Sequence, residues 1–174
     1  AWKRFTAAGS WYYEIIAPGF KYNLTDVAAA IGLHQLRRAN DLWTERRAIV
    51  ERYHRALGDL AVIELPREQE NRQHAWHLFP VRLRTDAWRI DRARVIDELK
   101  ARGITTSVHW MPLHLHPYYR DTYGYRPGLF PVAESIWPRL ISLPIFPGMR
   151  DDEIDAVVAA LHDLASRFAA RVGT

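Results

Sequence analysis

Lys21 and Asn23 stand two residues apart in the stretch Gly19-Phe20-Lys21-Tyr22-Asn23-Leu24-Thr25-Asp26. On an extended backbone, residues two apart point the same way. An ammonium and an amide side by side present donors to a bound anion such as a phosphate. Gly19 after Pro18 marks a turn ahead of them, and Thr25 or Asp26 can cap the helix that follows. The plain alternative is a turn and a helix cap carrying a solvated lysine.

His109, His114 and His116 form a second group. They follow a run that reads as a strand and sit in a loop, where binding residues concentrate. A metal site needs three or four convergent ligands. No carboxylate is interleaved here, and the nearest is Asp121, so no metal site is predicted. His74 and His77 fall on opposite faces of their predicted strand. Ser107 lies two residues before His109, but nothing in the sequence places the acid that a serine–histidine nucleophile needs. There is no Gly-rich phosphate cradle and no cysteine, which excludes disulfides, thiol nucleophiles and cysteine metal sites.

The 174 residues fit one ordinary domain with a real core. The 24 basic residues exceed the 20 acidic ones only slightly and are interspersed with them, unlike the one-sided charge of a nucleic-acid binder. No apolar run is long enough to span a membrane. The first residues carry no signal-peptide core, and the lack of cysteine is compatible with a cytoplasmic location. The chain does not begin with Met, so it is expected to be a piece of something longer.

The elements that must position these groups read as follows. Residues 1–24 form an aromatic interface arm (Trp2, Phe5, Trp11, Tyr12, Tyr13) ending in the Lys21 turn, too short to bury its own rings and expected to pack on another domain or chain. Residues 25–57 read as one long helix with Ile31, Leu42, Ile49, Tyr53 and Leu57 on its apolar side, Gly32 marking a kink or a close backbone approach. Residues 58–174 read as a small α+β domain. It has a short strand within 61–65, a strand at 74–83 and a helix from Asp91 ended by Gly103. A strand at 104–110, a short helix at 131–137, a strand at 140–144 and a closing helix follow. Asp151, Asp152 and Glu153 complement the dipole of that last helix.

Five segments in this order carry a resemblance: GFKYNLTDVAAAIGLHQL at 19–36, HAWHLFPVRL at 74–83, ARGITTSVHWMPLHLHPYY at 101–119, FPVAESIWPRLISLPIFPGM at 130–149 and DDEIDAVVAALHDL at 151–164. Together they resemble the C-terminal part of the DegT/DnrJ/StrS family of pyridoxal-phosphate (PLP) dependent sugar aminotransferases. The GFKYN wording is similar to enzymes that aminate nucleotide-linked 4-keto sugars, such as the lipid-A arabinose aminotransferase type.

The resemblance implies the small C-terminal α+β domain of a fold-type I aminotransferase with its long connecting helix, working in a homodimer. It implies that Lys21 and Asn23 reach the cofactor phosphate in the partner subunit, and that His109, and also His114, lie near a nucleotide-sugar substrate. The family's Schiff-base lysine segment has no match here. Lys3 lies in the arm, Lys21 in the turn and Lys100 on a helix. The expectation is therefore a C-terminal portion that is not competent alone and depends on a missing N-terminal PLP domain, with glutamate as amino donor to the whole enzyme. The alternatives are a stand-alone binding or dimerisation module that lost catalysis, and a metal-dependent hydrolase using the three histidines.

Overall fold

The computed structural model describes the backbone of residues 2–6 and 9–15 and all of residues 17–170. The chain divides into two compact units, Ala1–Ala39 and Asn40–Thr174.

In the first unit, strands β1 (Trp2–Thr6) and β2 (Gly9–Ile15) pair antiparallel, with Trp2 opposite Ile15. The apolar interface expected of the arm's side chains lies outside the described residues. Helix α1 (Asp26–Arg37) follows, and the Thr25 hydroxyl accepts from the Ala28 amide at 3.3 Å, so Thr25 is its N-cap. None of its residues is buried. Gly32 lies inside α1, which runs on through it, and among the described residues a Cβ there meets nothing within 4 Å, so none of them makes the close approach expected at it. The interruption comes six residues later. The Arg38 amide donates to Gln35 and Leu36 carbonyls with φ −92° and ψ −3°, a tight closing turn, and α2 (Ala39–Leu57) begins after it. The single helix expected over 25–57 is thus two, and neither Gly nor Pro marks the division.

In the second unit, β3 (Ile63–Glu64), β4 (Phe79–Leu83) and β5 (Leu140–Leu143) form an antiparallel sheet in the order β3-β4-β5. Side chains alternate across it. Ile63, Phe79, Val81, Leu83, Ile141 and Leu143 all point to one face and all are buried. Covering that face are α2, through Ile49, Val50, Tyr53 and Leu57, α3 (Arg92–Ala101), through Val95 and Leu99, and α6 (Asp151–Phe168), through Ile154, Val157, Leu161 and Leu164. Tyr53 packs on Phe79 with ring centroids 5.1 Å apart and donates its hydroxyl to the Pro144 carbonyl at 2.9 Å. Burial pushes its phenol well above the ordinary value.

Local chemistry sets the ends of these helices. The Asp91 carboxylate accepts from the Arg94 amide at 2.8 Å to open α3. Gly103, with φ +76°, closes it and lets the Ile104 amide reach back to the Leu99 carbonyl. At the start of α6, Glu153 accepts from the Arg150 amide at 2.8 Å. Arg52 joins α2 to α6 by pairing with Asp151 and Asp155, and Arg102 joins α3 to α6 by pairing with Asp163 at 2.6 Å.

Two strands differ from the sequence expectation. The strand at 74–83 starts only at Phe79, because Trp76 takes a left-handed φ of +49° while its amide donates to Nδ1 of His74 at 2.9 Å. That local turn removes 74–77 from the ladder. Residues 104–110 form no strand; Ser107 alone pairs, with Ser142, and Pro144, two residues past Ser142, has no N–H to continue the ladder on that side. Among the described residues, no helix is long and apolar enough to cross a membrane.

Phe79 is fully buried at the centre of this packing. Phe79→Ala is expected to cost about 3–5 kcal/mol of stability, read from urea unfolding of the chain. A loss below about 1 kcal/mol would show that the sheet–helix interface is not where stability resides.

Candidate functional site

The face of the sheet turned away from the core carries the chemistry. Strand alternation places Glu64, Pro80, Arg82, Leu140 and Ser142 there. Glu64 pairs with Arg82 at 2.8 Å and with Arg139 at 3.4 Å. Pro80 is tolerated in the middle strand for a specific reason. The Ser142 amide and carbonyl both bond to Ser107, at 2.8 and 3.1 Å, so the Pro80–Ser142 pair exchanges no hydrogen bonds. The missing N–H of Pro80 then faces the side where β3 has already ended at Glu64.

The Ser107–Ser142 bridge lays the extended segment 104–110 along the outer edge of β5. Two residues beyond Ser107, His109 falls on the same side, and its Nδ1 lies 2.9 Å from the Ser142 hydroxyl. The His109 ring is half-buried, with the Trp110 ring edge-on at 5.3 Å. Sequence reasoning reached His109 but missed Ser142. Its signal was a polar residue inside the otherwise apolar strand Leu140-Ile141-Ser142-Leu143.

His114 has a different position. It lies in a single 3-10 turn (Leu113–Leu115), is 4% exposed, and packs on Phe130 with centroids 4.7 Å apart. Its Nε2 is 2.8 Å from the Glu134 carboxylate on α5 (Pro131–Ile136). Glu134 also accepts from the Gly128 amide at 2.8 Å and the Phe130 amide at 3.2 Å. One carboxylate thus holds together the turn at His114, the loop through Gly128 and the start of α5. His114, expected at the substrate, is inside the fold with its Nε2 committed to Glu134. His116 precedes the short α4 (Pro117–Tyr123), its amide donating to Leu113. Among the described residues, no three His, Asp or Glu side chains converge as metal ligands would.

The amide of Gly128, then His114 and the amide of Phe130, hold the Glu134 carboxyl below the ordinary carboxylate range, against burial, which raises it. A depressed carboxylate contributes its stability above its ordinary value and loses it as pH falls through the folded-state value. The Gly128 and Phe130 amides are therefore expected to be protected from hydrogen exchange at neutral pH. Protection should fall on acidification, and at neutral pH in Glu134→Ala. Unchanged NMR protection factors in that variant would remove Glu134 from this role.

The remaining candidates lie in the first unit. Phe20 and Tyr22 stack with centroids 5.5 Å apart, the geometry of two side chains on one side of an extended segment. The same alternation puts Lys21 and Asn23 on the other side, and both are exposed. Val27, Ile31 and Leu36 on α1 are exposed as well.

These elements define a mixed α+β domain, a three-stranded sheet covered by helices, that corresponds to part of the longer fold-type I aminotransferases. The model of the DegT/DnrJ/EryC1/StrS aminotransferase family matches residues 2–162, and the chain belongs to that family. It is 47% identical over 166 residues to the uncharacterized protein MJ1066 of Methanocaldococcus jannaschii, covering 95% of this chain and 43% of that protein. It is 40% identical over 165 residues to the spore coat polysaccharide biosynthesis protein SpsC of Bacillus subtilis, covering 94% and 42%. Among solved structures it is similar to Streptococcus pneumoniae Spr1654 in its apo form, with TM-score 0.76 and 30% identity over 93% of this chain and 40% of that one. Spr1654 has also been solved in PLP and PMP forms. The chain spans under half the length of the curated relatives it matches.

Proposed function

We propose that this chain is the C-terminal part of a PLP-dependent aminotransferase that moves an amino group from an amino acid, glutamate, to a keto nucleotide-sugar. The observation that carries this reading is the family match along residues 2–162 of a chain that spans only 43% of MJ1066 and 42% of SpsC. The wording of residues 19–23 favours a 4-keto sugar of the lipid-A arabinose type.

What this chain offers the cofactor is the exposed pair Lys21 and Asn23, an ammonium and an amide matched to a phosphate. When bound, PLP supplies the electron sink for moving an amino group. His109, on the outer edge of the sheet, is the residue we assign to the substrate. His114 acts one step back, by holding Glu134 and the loop beside it. The Schiff-base lysine belongs to the upstream part of the enzyme, so the chain alone does not transaminate. The exposed apolar residues of α1, Val27 and Ile31 on one side and Leu33 and Leu36 on the other, together with Phe20 at 86% and Tyr22 at 83% exposure, form the surface that the upstream domain or a second subunit covers. This fits a homodimer. The same exposed face supports a second reading, a stand-alone dimerisation module without catalysis.

Reductive trapping separates these readings. The chain is incubated with PLP, treated with borohydride and mapped by mass spectrometry, alone and together with the upstream half. The expected result is no stoichiometric adduct on the chain alone, and one adduct on an upstream lysine with glutamate-dependent amino transfer when both halves are present. Transfer absent from the two halves together favours the module. A single adduct at Lys21 that forms and reverses with glutamate on the chain alone would overturn the proposal.

A further inference from the structure

We propose that Ser142 is a positioning residue that fixes the proton of His109. The Ser142 hydroxyl donates to Nδ1 of His109, which leaves Nε2–H turned outward as a hydrogen-bond donor for an acceptor oxygen of the substrate. The inference rests on the reading of His109 as a substrate contact and adds the direction of that contact.

The argument starts from burial. Ser142 is 6% exposed, and among the described residues its hydroxyl has one partner, Nδ1 of His109 at 2.9 Å. If the ring donated from Nδ1, the hydroxyl hydrogen would be left buried without an acceptor, and a buried unmet donor is what folded chains avoid. With the hydroxyl as donor, both groups are satisfied and the ring proton sits on Nε2. That nitrogen has no partner among the described residues, and it is not among the buried atoms left unsatisfied, so it reaches solvent. The backbone leaves little freedom for another arrangement. Ser142 is paired with Pro80 on one side and bonded to Ser107 twice on the other, and Trp110 stands edge-on to the ring. An outward N–H selects carbonyl, hydroxyl or phosphate oxygens and disfavours groups that can only donate, such as ammonium and amide N–H.

The test is the ring nitrogen spectrum of the 15N-histidine-labelled chain at about pH 8, above the ordinary imidazole range. The expected pattern for His109 is an unprotonated Nδ1 and a protonated Nε2 in a single tautomer. Ser142→Ala should move both nitrogens toward an average of the two tautomers, and Ser142→Thr, which keeps the hydroxyl, should restore the pattern. A wild-type His109 protonated on Nδ1 overturns the proposal whether or not any variant folds. So does an unchanged spectrum in a folded Ser142→Ala chain. In the enzyme assembled with its upstream half, Ser142→Ala should raise KM for the nucleotide sugar about 2- to 10-fold, the range one hydrogen bond covers. If His109→Ala leaves that KM unchanged, the substrate reading falls, while the spectrum alone still decides the role of Ser142.

Discussion

Burial of Phe79, Val81 and Leu83 along one side of β4 is the constraint on which the second unit depends. These three side chains, with Ile141 and Leu143 opposite them, lie under α2, α3 and α6. Because the strand period is two, a core fixed on one face fixes the identity of the other face as well. Pro80, Arg82 and Ser142 are turned outward for no reason of their own; they alternate with residues that cannot leave the core. The outward serine then anchors a segment that has almost no ladder to join. The position of His109 is thus traceable, through one bridge and one side-chain hydrogen bond, to the hydrophobic side of the sheet.

The region after His109 is held by polar contacts together with a run of aromatic rings, Tyr119 on Tyr123, Tyr123 on Tyr125 and Tyr125 on Phe130. Tyr118, Tyr123 and Leu129 are each more than half exposed, so burial there is partial. The Glu134 carboxylate compensates by collecting two backbone amides and the His114 ring. One anion thus ties the start of a short helix to the loop before it and to the His114 turn. The two candidate histidines therefore divide: His109, the stronger candidate, is half-buried beside the Ser142 hydroxyl, and His114 is buried against Glu134.

Much of the fold was legible in the residues. The α6 stripe of Ile154, Val157, Leu161 and Leu164 is buried as its spacing requires. Asp91 caps α3 and Gly103 ends it, because carboxylate acceptors and left-handed glycines have few other uses at those positions. The failures have separate causes. The division at Arg38 involves no residue with special backbone preferences. The loss of strand at 74–77 comes from a histidine ring bonding to an amide two residues on. The strand expected at 104–110 is reduced to one bridge, at Ser107, to a different element altogether.

The sequence by itself determined the α+β class, the caps, the apolar faces and, through its ordered segments, the family. Those properties are local or periodic, and each residue type carries its own preference. Only the tertiary structure decided which histidine faces outward, that Ser142 stands behind it, and that Glu134 gathers the loop beside it. Those facts join residues 33, 20 and 6 positions apart in the chain, and no local preference encodes such distances. Packing of the sheet face against the helices sets them.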